Sequence, residues 1–403
     1  MNITKMIMNK GVYSQLVVLL SVVLSMSLFS CCNNPVEKVS KKRNILFYIG
    51  ADSDLDGDAL NKINQMRYGW QPGFGEMLIY VDRSGDGAYL FRMNEKKYAG
   101  GYYGLDTIMP YGKENSADAR VLERVINDMV VNYPADSYGM IFFSHASGWL
   151  PEGMLNHPRS LVIDYDNGGG NREMEYYDFA DAVPDKLFDF IIFEACLMAD
   201  VMSMYELRNK AEYILASSAE IVAPGFSNIY KDNIMGLFET RVSTQSVVSS
   251  FAQSYYNNIS SFPETDYRNS ATLSLIKMDE MENLALVTKA VLQGVDANEA
   301  NIIVDDIQSF DRPNRLISSG SRRSRYFDFA HTVRNIVSDA DNKTFVDQLE
   351  RTVVWKASTK NFLLNDRGFY INHHSGLTTY IEQNVYPELN SVYRNSSWYK
   401  AIY

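Results

Sequence analysis

At 403 residues, 46% hydrophobic and 13% aromatic, the chain carries enough apolar side chains for one large core or two modest ones, which excludes a disordered or low-complexity protein. A formal charge of −11 counts against nucleic acid as a partner, because a phosphate backbone is bound by clustered lysine and arginine. Of three cysteines, Cys31 and Cys32 are adjacent and Cys196 stands far away, so no framework of internal disulfides is expected.

The first thirty residues read as an export signal. Lys5 and Lys10 precede an apolar run from Leu16 to Phe29 that is too short for a comfortable membrane span. The run ends in LFSCC, where Leu28, Ser30 and Cys31 resemble the lipobox of bacterial lipoproteins, which implies cleavage before Cys31 and lipid attachment to it. Loss of Met1–Ser30 removes two lysines and no acids, leaving a formal charge of −13. Residues 31–43 read as a polar tether, and an anchored, extracytoplasmic protein, periplasmic or at the cell surface, is expected.

From Asn44 onward apolar runs alternate with amphipathic ones. NILFYIG (44–50) reads as a strand, LNKINQMRYG (60–69) as a helix, and EMLIYVD (76–82) and GAYLFRM (87–93) as strands. The helix 119–133 follows, with Val121, Val125, Ile126 and Met129 at helical spacing. Then come strand 138–144, helix 175–183, strand 188–194, helix 197–209 and strand 212–218. Such alternation predicts an α/β fold on a largely parallel sheet. Past about Tyr230, helices near 244–258 and 281–295 flank a strand at 271–278, and SGLTTYI (375–381) comes late. We divide the folded chain into 44–277 and a mostly helical 278–403. The basic block Arg312 to Arg325 reads as a solvated loop.

Groups that bind or react in open α/β sheets gather at the carboxyl ends of strands. Cys196 follows the strand 188–194 and is expected to open the next helix, whose free N–H groups would favour a thiolate. Alone it reads more readily as a buried structural cysteine. His145 closes the strand 138–144, and the 51 residues between the two hold one loop, one helix and one strand, as a crossover between nearby parallel strands requires. DSDLDGD (52–58) imitates an EF-hand loop but has Ile63 where the bidentate glutamate belongs, so Asp54 or Asp56 is expected to cap the following helix. His331, His373 and His374 have no spacing that suits a metal, and no metal site is expected.

FFSHASGW (142–149) and FEACLMADVMSMYELRNKAEYILASSAEIVAPGF (193–226) resemble the clostripain family of cysteine peptidases, with weaker likeness in NILFYIGADSDLD (44–56), TLSLIKM (272–278) and HSGLTTYI (374–381). The resemblance implies a caspase-like three-layer sandwich, with 44–277 as its catalytic domain, and an endopeptidase that cuts after arginine or lysine. Cys196 would be the nucleophile and His145 the general acid and base. The oxyanion would be held by the N–H groups of Cys196 and Ala146, the latter standing where the family usually has glycine. Glu194, two residues before the nucleophile, shares its face of the strand and would meet the P1 side chain; the family usually has aspartate there. The alternative for Glu194 is a solvent-facing or salt-bridged strand-end carboxylate. Glu220 is a candidate for the opposite wall. The family's self-processing points to Arg159–Ser160, ahead of Arg172, as an activation bond that would leave a monomer of two associated chains. No cofactor is required, and the family's response to calcium keeps a weak ion site in view.

A second reading is a peptidase-like binding protein whose Ala146 and Glu194 recognise a basic peptide or partner without cutting it. A third is another acyl-transfer enzyme using the same two residues.

Overall fold

Along the first strand, β1 (Arg43–Ala51), successive side chains go to opposite faces and both faces are buried: Ile45, Phe47 and Ile49 enter one core, Leu46 and Tyr48 the other. The computed structural model describes residues 42–85, 87–152, 154, 161–164, 172–293, 295, 303–313 and 323–403. The leader Met1–Ser30, Cys31 and the Arg159–Ser160 bond lie outside the described residues. Among those described, no helix is long and apolar enough to cross a membrane.

β1 is followed by β2 (Met77–Arg83), β3 (Gly87–Lys97), β4 (Tyr103–Gly112), β5 (Ser137–Phe143), a short hairpin of β6 (Leu161–Asp164) and β7 (Arg172–Met174), then β8 (Phe188–Glu194), β9 (Ala211–Ala216), β10 (Thr272–Lys277), the two-residue β11 (Phe327–Asp328) and β12 (Val353–Ser358). Nine of them form one sheet in the order β12-β10-β9-β8-β5-β1-β2-β3-β4. The middle five are parallel, and the pairs at both edges are antiparallel. The fold is therefore the expected α/β sandwich, with a parallel centre. The chain from 278 onward adds β12 to this same sheet, beside its helices.

One face is covered by α1 (Asp56–Gly69), α5 (Ser227–Asn233) and α6 (Thr244–Ser260), which pack on the odd-numbered side chains of β1. The other carries α2 (Ala119–Asn132), α3 (Tyr176–Ala182), α4 (Val201–Glu206) and α7 (Met281–Leu292). Of α2, Val121, Leu122, Val125, Ile126 and Met129 are buried, the stripe its periodicity predicts. Asp118 caps it by accepting from the Arg120 N–H.

The chain winds outward from β1 in both directions, first to β2 and later, past it, to β5, β8 and β9. The loops leaving β1 and β5 consequently part at their carboxyl ends and open a crevice, where open α/β sheets bind their ligands.

Candidate active site

Strands β5 and β8 are neighbours, and Phe143 pairs in register with Glu194. His145 and Cys196 each come two residues later, so they leave the sheet at the same level and side by side. Both line a cavity of about 530 Å³ over this crevice, together with Asp54, Asp58 and Lys62 from the β1 side, Glu194, and Glu220 from the loop after β9.

The loop that carries Cys196 does not open a helix. The expected helix 197–209 begins only at Val201, capped by Asp200, which accepts from the Ser203 N–H at 2.9 Å. Leu197 instead takes a left-handed backbone at φ +61°, a conformation that costs a non-glycine residue about 1–2 kcal/mol. Three main-chain hydrogen bonds hold it there: Leu197 N–H to the Ala219 carbonyl, Ala199 N–H to that of Ser217, and Thr378 N–H to that of Ala199, each 2.9 Å. The thiolate-favouring helix end is therefore absent, and burial followed by the charge of Glu220 pushes the Cys196 thiol up to about 12. The Ile221 N–H, which donates to Sγ at 3.3 Å, and the Arg312 guanidinium act in the opposite sense.

His145 Nε2 lies 2.7 Å from Asp54 Oδ1. With the Nε2 proton donated to that carboxylate, Nδ1 keeps the lone pair that can take or return a proton. Neither Asp54 nor Asp56 caps α1, contrary to expectation: the cap is Leu55, and Asp52, Asp54 and Asp56 turn to separate partners. Asp52 accepts from the Ser84 hydroxyl at 2.7 Å and Asp56 from Arg83 at 2.7 and 3.0 Å. Among the described residues no group of three or more histidine, cysteine, aspartate or glutamate side chains is arranged to hold a metal ion. His331 and His373 lie against each other at 3.9 Å between ring centroids.

A model of the clostripain family matches residues 47–393. The chain belongs to the clostripain family. Among solved structures it resembles an inactive zymogen of a C11 protease from Parabacteroides distasonis, at 27% identity and a TM-score of 0.75, covering 90% of this chain and 98% of that one. It is equally similar to a secreted C11 cysteine protease from Bacteroides thetaiotaomicron bound to an irreversible peptide inhibitor, at 28% identity, a TM-score of 0.75 and the same coverage. With clostripain itself, from Hathewaya histolytica, it shares 26% identity over 46% of this chain and 41% of that protein's length, so it spans less than half of that relative.

Within this clostripain-family site, Ala146 is fully buried and has no left-handed φ, so its methyl meets no backbone penalty in place of glycine. Neither its N–H nor that of Cys196 donates to another described residue.

Glu194 reaches the cavity, but not as the open carboxylate expected of it. Its Oε1 accepts from Lys62 Nζ and from the Phe226 N–H, both at 2.5 Å, and its Oε2 from the Tyr230 hydroxyl at 2.6 Å. Both side chains of the Lys62–Glu194 pair are 1% exposed. Removing one partner of such a buried pair typically costs about 3–5 kcal/mol. Glu220 is likewise paired, with Arg312, whose Nε donates to it at 2.8 Å and whose Nη1 reaches Asp366 at 2.8 Å. The ends of the expected solvated block, Arg312 and Arg325, are thus buried, and the first is part of the cavity wall.

Sequence reasoning missed Asp54, Lys62 and Arg312. Lys62 had a signal: with Ala59, Ile63 and Met66 it occupies the buried stripe of α1, where an unpaired lysine does not belong.

Proposed function

We propose that the chain is a lipid-anchored, extracytoplasmic cysteine endopeptidase that cleaves after basic residues. The observation that carries this is the convergence of Cys196 and His145, from adjacent parallel strands, on one cavity that also holds Asp54 against the imidazole. Cys196 Sγ attacks the scissile carbonyl carbon and forms a thioester. His145 takes the thiol proton and gives it to the departing amine, and water then hydrolyses the thioester. The N–H groups of Cys196 and Ala146 are the donors for the oxyanion. The chain supplies every group in this sequence, so no cofactor is required.

The charge of the cavity favours a basic P1 side chain: Asp54, Asp58, Glu194 and Glu220 line it against only Lys62 and Arg312. Activation by cleavage at Arg159–Ser160, into two chains that stay together, belongs to the same reading. Cys31 would carry the lipid.

The test is release of a fluorophore from peptides ending in Arg, Lys, Asp or Leu by the soluble chain from about Asn44, with calcium and with EDTA, beside Cys196→Ala. Release from Arg and Lys peptides that vanishes in the variant is expected, as is a Cys196→Ala chain that stays whole where wild type splits. No hydrolysis by a folded, nicked sample would move the assignment to the basic-peptide-binding reading.

A further inference from the structure

The helix α1 descends from the crevice onto the sheet and brings two charged side chains, Asp58 and Lys62, one turn apart along its cavity side. Their situations differ. The Lys62 ammonium has spent all three protons, on Glu194 Oε1 at 2.5 Å, the Pro224 carbonyl at 3.0 Å and the Ser227 hydroxyl at 3.1 Å, and it lies 4.3 Å from the centre of the Phe143 ring. Both oxygens of Glu194 are committed as well. Gly225 closes over the pair: at φ +60° it has no side chain, and a Cβ there would stand 2.2 Å from Glu194 Oε1. A guanidinium or ammonium entering this cavity would have to compete at Glu194 with Lys62, the Phe226 N–H and the Tyr230 hydroxyl, which already occupy both of its oxygens.

The remaining acids that line the cavity can be accounted for one at a time. Asp54 is held against His145, and Glu220 is held by Arg312. Asp58 is half-buried and has neither an ion pair nor a side-chain hydrogen bond among the described residues. It is the carboxylate with acceptors to spare.

We propose that Asp58, and not Glu194, reads the positive charge of the P1 side chain, and that the Lys62–Glu194 pair is a neutral floor that limits how deep that side chain enters. The proposal rests on the peptidase reading above and names the specificity determinant of that site. A P1 arginine lies along the cavity with its guanidinium toward Asp58, and the paired side chains beneath it set the depth by their bulk.

The experiment uses one peptide series, identical except for arginine, its neutral isostere citrulline, or leucine at P1. It compares wild type, Asp58→Asn and the double variant Lys62→Met/Glu194→Gln, which removes the pair without leaving a buried charge behind. In Asp58→Asn the arginine-to-citrulline ratio of kcat/KM is expected to fall about tenfold or more while the leucine rate holds. In the double variant the ratio is expected to stay within about threefold of wild type. Thermal melts of all three report folding. An unchanged ratio in Asp58→Asn would overturn the proposal, and its collapse in the double variant alone would return the role to Glu194. Leucine cleaved as fast as arginine by wild type would remove the basic preference and Asp58 with it, leaving the peptidase standing. The same peptides titrated into the Cys196→Ala forms read the ratio without chemistry. Silence against every peptide would therefore count against the peptidase reading, while the binding ratio still decides Asp58.

Discussion

Gly148, in the loop that carries His145, lies against Leu197, in the loop that carries Cys196: a Cβ on Gly148 would stand 2.4 Å from the Leu197 carbonyl oxygen and 2.7 Å from Asp200 Oδ2. The residue also sits at φ +57°, where an L side chain is strained. The loops of His145 and Cys196 thus meet backbone to backbone, and their spacing is set by a missing methyl.

Gly148→Ala is therefore expected to push the loops apart. The backbone strain alone is worth about 1–2 kcal/mol, and under the proposed mechanism a shift near 1 Å between Cys196 and His145 costs on the order of 10²-fold in kcat. Gly57, in the first turn of α1 with nothing within 4 Å of its Cβ position, is the control. Gly57→Ala should leave kcat unchanged and raise stability by up to about 1 kcal/mol. Equal behaviour of the two variants in melting and kinetics would refute the contact as a spacer.

Asp54→Asn should lower kcat by roughly 10-fold to 10²-fold, with a smaller change in KM, because Asp54 is held against the imidazole. An asparagine can present its NH₂ to Nε2 and stabilise the tautomer that blocks Nδ1 as a base. The pH profile should shift along with kcat, which a purely structural loss would not produce.

How far these groups could be read in advance depends on the distance over which each acts. The central strands β1, β5, β8 and β9 are buried on both faces and wrote themselves into the sequence as unbroken apolar runs. Strand β4 carries Asp106 and Pro110 and is half-exposed, and β12 is a short edge strand, so neither gave that signal. The helix Asp339–Thr352 buries Phe345, Gln348, Leu349 and Thr352 among seven other charged or amide side chains, which dilutes its period. Cys196 and His145 were visible because each follows its own strand. The pairing of Asp54 with His145 joins residues 91 apart, and that of Arg312 with Glu220 residues 92 apart, so only the folded crossovers make them neighbours.

Arg312 and Glu220 should move the reactivity of Cys196 in opposite directions. The thiol, held near 12, is mostly protonated at neutral pH, so alkylation by iodoacetamide in the uncleaved protein should keep rising between pH 8 and 10 without a plateau. Glu220→Gln removes a negative charge that disfavours the thiolate and should speed labelling by roughly threefold to tenfold at fixed pH. Arg312→Gln removes a cation and leaves Glu220 with less compensation, so it should slow labelling. Mass-spectrometric rates on Cys196 decide it, and a change of the same sign in both variants would discard the electrostatic account.

Asp200 carries a pH signature of its own. It is fully buried, burial holds its carboxyl up at about 7, and its Oδ2 has no hydrogen-bond partner. Below pH about 4 the group is protonated whether the chain is folded or not, and its contribution is fully present. Between about 4 and 7 the unfolded chain releases the proton and the folded chain keeps it, so stability falls with rising pH by at most about 1.4 kcal/mol per unit. Above 7 both forms are ionised and this contribution is flat. Asparagine can still accept from the Ser203 N–H and does not titrate. Urea unfolding of Asp200→Asn across pH 4 to 8 should thus show a shallower decline than wild type and a higher midpoint at pH 8, and parallel curves would mean that Asp200 is ionised in the folded protein throughout.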